Sequence, residues 1–241
     1  SPATPAPAAA PRPRPAPRLP ARPGSTPTCW YWMATILEGF MDKFGVIYEF
    51  LTEHPDRAHL KKNETIDCDA YRNRIFYKYK NEIEVFPCPK IPQTTTDEAL
   101  KGILNISYGI EEDEIEKAID IHKQAMGAEN IIGTLLERYI DSRASRFGWI
   151  WCAGSIVKAA DFIRKRKNGW DVLQIKNRDN SENSSSAAIR EGTDIKKWFR
   201  TFSKRSGTNW DKFPDDDLKE ILSEEDFHTF IKNYLISHCS D

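Results

Sequence analysis

Gln174 and Lys176 stand one residue apart in a segment otherwise built from Trp170, Val172, Leu173 and Ile175. Side chains alternate along a strand, so Val172, Gln174 and Lys176 share one face, and Leu173 and Ile175 take the other. Burying an amide and an ammonium is costly unless each finds a partner. A metal ion and a phosphate, together with an acid from the neighbouring strand, would meet that cost. Asp161 is the acid available: twelve residues separate it from Gln174, and the Lys167-Asn168-Gly169 turn would fold its strand back beside the second one. The three side chains would then converge at one end of a hairpin, a set suited to binding a metal and a phosphate. The structural alternative for Lys176 is a strand-end lysine that snorkels to water.

The elements that must position this set are legible in part. "WIWCAGSIV" and "ADFI" read as strands and "WDVLQIKNR" as the hairpin partner. Upstream, Ile36, Phe40, Phe44, Ile47 and Leu51 mark a helix over 35–54 that stops before Pro55. Residues 71–86 lean towards strand. Residues 97–104 form a short helix, 111–126 a clearer one, and after Gly127 a second helix carries Ile132, Leu135, Leu136, Tyr139 and Ile140. His122 reads as a partly buried helix residue. In "TDIKKWFRTFSKRSG" the positions of Ile195, Trp198, Phe199 and Phe202 predict another helix, with Thr193 as its N-cap and Gly207 as its stop. A last helix starts at Ser223, where "SEED" supplies the cap, with Phe227, Phe230, Ile231, Tyr234 and Leu235 as its core stripe.

The net charge of −1 over 241 residues hides a strong asymmetry. Residues 143–212 hold 16 Lys and Arg against 7 Asp and Glu, and residues 1–28 hold 4 Arg and no acid, so the remainder is strongly acidic. A basic third of that size attracts polyanions, nucleic acid first. Residues 1–28 contain ten of the fifteen prolines and cannot pack a core, so they are expected to be an extended, disordered tail; residues 29–241 then form one domain, with a helical part (29–143) and a catalytic and DNA-binding part (144–241). Five cysteines with no CxxC read as reduced thiols of a cytosol. No apolar run has the length of a membrane span.

The run "CAGSIVKAADFI…GWDVLQIKNRDNSENSSSAAIREGTDIKKWF" resembles the SinI family of type II restriction endonucleases, from about Glu111 to Pro214. Within it, Asp161 followed by Gln174-Ile175-Lys176 is similar to the PD-(D/E)xK motif, an acid on one strand and acid-x-Lys on the next. Ala160 stands where the motif has Pro, and Gln174 replaces the second carboxylate. An amide oxygen can still ligate a hard cation, with one negative charge fewer. The resemblance implies an α/β fold with a central mixed sheet flanked by helices, and Mg²⁺-dependent cleavage of double-stranded DNA at a short palindrome of the GG(A/T)CC type. It further implies a cytoplasmic prokaryotic homodimer accompanied by a DNA methyltransferase that is not a physical partner. Asp161 and Gln174 would be the metal ligands and Lys176 would orient or deprotonate the attacking water. The preceding helix offers a third acid in Glu137, with Glu129 as an outside choice; by its place on the helix wheel Glu137 reads as solvated.

Asn, Ser and Arg are the groups that read base edges and phosphates. Arg178, Asn183, Ser184 and Arg190, in the loop after the metal strand, are therefore candidate DNA contacts. Lys196, Lys197, Arg200 and Lys204 are expected on the free face of the basic helix. Two further readings stay open: a repair or recombination nuclease on the same core, and a DNA-binding protein that has lost its metal site.

Overall fold

The computed structural model describes residues 27–179 and 193–240, with backbone alone over 27–38. The chain divides into two compact units, Ser1–Phe40 and Met41–Asp241, and the sheet and the site described below belong to the second, as does the first helix from Met41 onward. Most of the expected tail and the candidate contacts Asn183, Ser184 and Arg190 lie outside the described residues.

Four helices precede the sheet: α1 (Pro27–Glu53), α2 (Asp69–Glu84), α3 (Glu98–Tyr108) and α4 (Ile115–Ala144). The sheet follows as β1 (Ile150–Trp151), β2 (Phe162–Arg166), β3 (Gly169–Arg178) and β4 (Lys196–Thr201), and α5 (Glu224–His238) closes the chain. Strand order is β1-β2-β3-β4, antiparallel except for the parallel pair β3–β4. The result is a mixed sheet flanked by helices. Leu173, Gln174 and Ile175 are all at most 3% exposed, so both faces of β3 are covered. Leu135, Leu136, Tyr139 and Ile140 of α4 are buried, as are Phe44, Ile47, Phe50 and Leu51 of α1. Phe50 meets Trp170 edge-on at 5.2 Å, which docks α1 on the hairpin. Each such fully buried Leu or Phe contributes about 1.5–3 kcal/mol.

Several expectations are corrected here. Of residues 71–86, all up to Glu84 are helix, not strand: Tyr71, Ile75 and Tyr79 are buried at i, i+4, i+8, and the Cys68 sulfur caps the helix by accepting the Tyr71 N–H. Helical period overrides the strand-leaning composition. The two helices expected around Gly127 are one of 30 residues. Gly127 is there for close packing, since a Cβ on it would stand 2.6 Å from the Lys90 carbonyl oxygen. The basic helix over 193–207 is instead strand β4, which buries Trp198 and Arg200 on one face. A short aromatic run fits both periods, and pairing with β3 decides in favour of the strand. The hairpin loop is Lys167-Asn168, since Arg166 pairs with Gly169. "WIWCAGSIV" supplies only a two-residue strand. Finally, Cys88 and Cys239 form a disulfide across 151 positions, with Cα atoms 5.6 Å apart; Cys68 and Cys152 are free thiols. Cysteine spacing along the chain gave no sign of that pairing.

Other expectations hold. α1 ends before Pro55, the short helix expected over 97–104 is α3, and Ser223 caps α5 by accepting the Asp226 N–H at 3.1 Å. Phe227 and Tyr234 are the buried members of the α5 stripe.

Candidate active site

The hairpin brings Asp161 to the middle of β3. Asp161 directly precedes β2; its N–H donates to the Leu173 carbonyl (2.9 Å), and its own carbonyl accepts the Cys152 N–H (2.8 Å). Its carboxylate accepts the Ile175 N–H through Oδ2 at 2.6 Å. The acid is thereby pinned to the backbone between Gln174 and Lys176, where the hairpin argument put it. The chain reaches this point through a bent segment in which Gly154, Ser155 and Ala159 all have positive φ. A left-handed conformation costs a residue bearing a Cβ about 1–2 kcal/mol, so this approach to Asp161 is held by its surroundings.

Glu137 comes to the same place from α4, which packs on β1 and β3. Its Oε2 accepts the Trp151 indole N–H at 2.9 Å. Desolvation first, then the charge of Asp161, push the Glu137 pKa up to about 8, against the Trp151 hydrogen bond and Lys176. Desolvation likewise raises Asp161, opposed by the Ile175 N–H and by Lys176. The Cys152 thiol is raised well above its ordinary value by burial, then by the fields of Asp161 and Glu137. Two desolvated carboxyl groups therefore face one lysine, and Glu137 holds its proton up to about 8 rather than leave a negative charge in excess. The reading of Glu137 as solvated is wrong: part of the residue stays exposed, but the carboxyl group is desolvated.

Beside this set opens a cleft of about 520 Å³. Glu129, Gly133 and Glu137 line it from α4, Lys176, Asn177 and Arg178 from β3, and Arg200 from β4. Glu129, Gly133 and Glu137 follow one another at i, i+4, i+8, which puts both acids on one helix face with a gap at the glycine. That spacing was the signal available for Glu137; judging the helix by its apolar stripe alone left it unused. Asn177 and Glu224, which hold Arg200, were missed altogether, because the pairing depends on β4 being a strand. Gln174 is 2% exposed and stays beside Lys176 on β3.

The DNA-contact candidates separate. Arg178 is exposed at the cleft, Lys196 and Lys204 are exposed, and Lys197 is half-buried. Arg200 does not share a free basic face with them: it is 9% exposed and paired with Asn177 and Glu224. Among the described residues no three of His, Cys, Asp or Glu are grouped to hold a metal. The donors at hand are thus two carboxylates and the Gln174 amide. No described helix is long and apolar enough to cross a membrane.

Comparison with known proteins adds a wider match than the run quoted above. The model of the SinI restriction endonuclease family matches residues 32–237. The chain is 43% identical over 203 residues to the type II restriction enzyme Eco47I of Escherichia coli, covering 80% of this chain and 86% of that one. It is 40% identical over 199 residues to the type II restriction enzyme SinI of Salmonella infantis, with the same coverage.

Proposed function

Since the chain belongs to the SinI restriction endonuclease family, we propose that its cleft hydrolyses phosphodiesters of double-stranded DNA at a short palindrome, of the GG(A/T)CC type. The observation that carries the reading is Asp161, pinned by the Ile175 N–H in the field of Lys176 and of a second desolvated carboxylate. The core is then of the PD-(D/E)xK kind, with Gln174 in place of the second acid. The remaining basic surface suits the polyanion.

Two desolvated carboxyl groups, one of which gives up its proton when a cation arrives, fit a hard divalent ion with oxygen ligands. Asp161, Glu137 and the Gln174 amide oxygen would hold Mg²⁺, which supplies charge stabilisation at the phosphoryl oxygens and a more acidic water. The chain's own groups do the rest. Lys176 orients the attacking water and offsets charge that builds on the phosphoryl oxygens. The Ile175 N–H fixes one oxygen of Asp161 and the Trp151 indole one of Glu137, so neither acid has to reorganise during the reaction. Water oxygen bonds to phosphorus, the ester oxygen of one sugar leaves, and one proton is released. A two-fold site asks for two such centres, hence a homodimer.

Digestion of phage DNA with Mg²⁺, followed by end sequencing, tests this. Discrete fragments that share one end sequence and vanish in EDTA are expected. A gel shift without cleavage would select the non-catalytic DNA-binding alternative instead, and cleavage without a common end sequence would select the repair nuclease.

A further inference from the structure

The nuclease reading uses Glu137, Asp161, Gln174 and Lys176 and leaves a buried charged group on the cleft wall without a task. That group is Arg200. It stands on β4, inside a parallel strand pair, where an aliphatic side chain would serve the fold at least as well: a buried ion pair is seldom more stabilising than a hydrophobic pair of the same volume. It is held with unusual completeness. Nε donates to the Asn177 Oδ1 at 3.0 Å, and Nη1 donates to the Glu224 carboxylate. The guanidinium lies over the Phe227 ring at 5.0 Å. Glu224 is itself fixed, by the Trp210 indole N–H at 2.9 Å and by His228 at 3.0 Å. Asn177 is the residue after Lys176, so the same strand that presents the lysine also aligns the arginine.

Two of the three guanidinium nitrogens are therefore occupied within the protein, and among the described residues Nη2 has no partner. It is also absent from the buried unsatisfied polar groups, which among the described residues are the Tyr71 hydroxyl and the Arg138 Nε. A planar fork held on two corners, with a third open at a cleft wall, is a preorganised donor to a phosphate oxygen.

We propose that Arg200 binds a backbone phosphate of the DNA strand lying in the cleft, with Asn177 and Glu224 as the positioning residues that aim it. The inference rests on the nuclease reading of the cleft. It differs from the expectation of a surface contact on a basic helix, because it assigns one fixed phosphate rather than a diffuse basic face.

The test is a scan in which each phosphate around the cut site is replaced in turn by a neutral methylphosphonate. Binding is read by fluorescence anisotropy in Ca²⁺ for the wild-type chain and for Arg200→Met. In the wild type one position per strand should weaken binding about tenfold or more, the worth of one charge-assisted contact. Arg200→Met should lose a similar factor on unmodified DNA and show no further loss at that position, while every other position keeps its penalty. The double variant Arg200→Met/Glu224→Gln removes both charges together, so no lone buried carboxylate threatens the fold, and the Trp210 N–H keeps an acceptor. It should show the same insensitivity. A folded variant that still pays the wild-type penalty at every position overturns the role of Arg200 and leaves the nuclease reading standing. A wild type that binds DNA with no position-specific penalty near the cut overturns it as well. Absence of any DNA binding overturns both.

Discussion

Two clusters of charge sit on the same small sheet and are treated in opposite ways. On the β2–β3 hairpin, Arg164 bridges Asp171 at 2.8 Å and Asp215 at 2.6 Å, and Arg166 adds a second contact to Asp171 at 2.6 Å. Trp149 stacks under Arg164 at 4.4 Å and donates its indole N–H to Asp215, whose other oxygen caps the turn at Leu218. Two cations meet two anions; the two arginines outweigh the burial of Asp171 and hold its carboxyl below the usual range. At the other end of the same strands, Asp161 and Glu137 share Lys176, and both acids are pushed up. The first cluster is neutral and finished. The second holds one acid more than it has cations, and Glu137 keeps its proton until a ligand takes its place, which is the signature of a site rather than of a staple.

The largest effects should separate the clusters cleanly. Lys176→Ala is expected to cut the single-turnover cleavage rate by about a thousandfold, the scale of losing one preorganised group at the developing charge, while specific binding in Ca²⁺ persists. Asp161→Asn should do the same, with the melting temperature held or raised, since it neutralises a desolvated acid. Arg164→Met should do the reverse: it leaves buried Asp215 without its arginine and Asp171 with Arg166 alone, and should cost about 3–5 kcal/mol in urea unfolding, with activity lost only as the fold is lost. If Asp161→Asn proves as destabilising as Arg164→Met, the distinction between site and staple collapses.

Glu137→Gln sharpens the contrast through pH. In the folded chain Glu137 keeps its proton up to about 8, whereas the unfolded chain releases it near the ordinary glutamate value. Its contribution to stability is therefore fully present below that ordinary value and is lost as pH rises through about 8. In EDTA, wild-type melting temperature should fall over that window relative to Glu137→Gln, which has nothing to titrate there, while the variant's Mg²⁺-dependent cleavage is reduced. Parallel melting curves across the window would return Glu137 to the solvated glutamate that its helix wheel suggested.

The hairpin was legible because its information is local. Asp161, the short loop and the alternation of Gln174 and Lys176 lie within 16 consecutive residues, and period-2 patterning with a turn is enough to bring them together. The N-cap residue Ser223 was legible for the same reason. What failed depends on partners far along the chain. Whether Ile195–Phe202 obeys a helical or a strand period is settled by β3, and only with the strand does Arg200 turn inward to Asn177 and Glu224. Gly127 looked like a helix stop because the segment at Lys90 that needs its missing Cβ lies 37 positions upstream. The Cys88–Cys239 bond is the extreme case, joining two ends of the second unit.

The smallest expected effect concerns charges that belong to neither cluster. Lys196 and Lys204 are exposed, and neither makes an ion pair among those of the described residues, unlike Arg200 on the same strand as Lys196. A solvated lysine that meets DNA does so as a counterion, so its removal should register in salt dependence and almost nowhere else. Lys196→Ala and Lys204→Ala should each lower the slope of log K against log salt by about 0.9 if the side chain meets one phosphate. Melting temperature should stay within about 1–2 °C, as an exposed substitution away from buried partners is worth a few tenths of a kcal/mol. The readout is a titration of DNA binding at four or five salt concentrations in Ca²⁺, with the wild type run in parallel. An unchanged slope removes that lysine from the DNA surface. A changed slope with an unchanged melting temperature marks a third kind of charge on the sheet, neither paired for the fold nor held in excess for chemistry, but left in water to meet the polyanion.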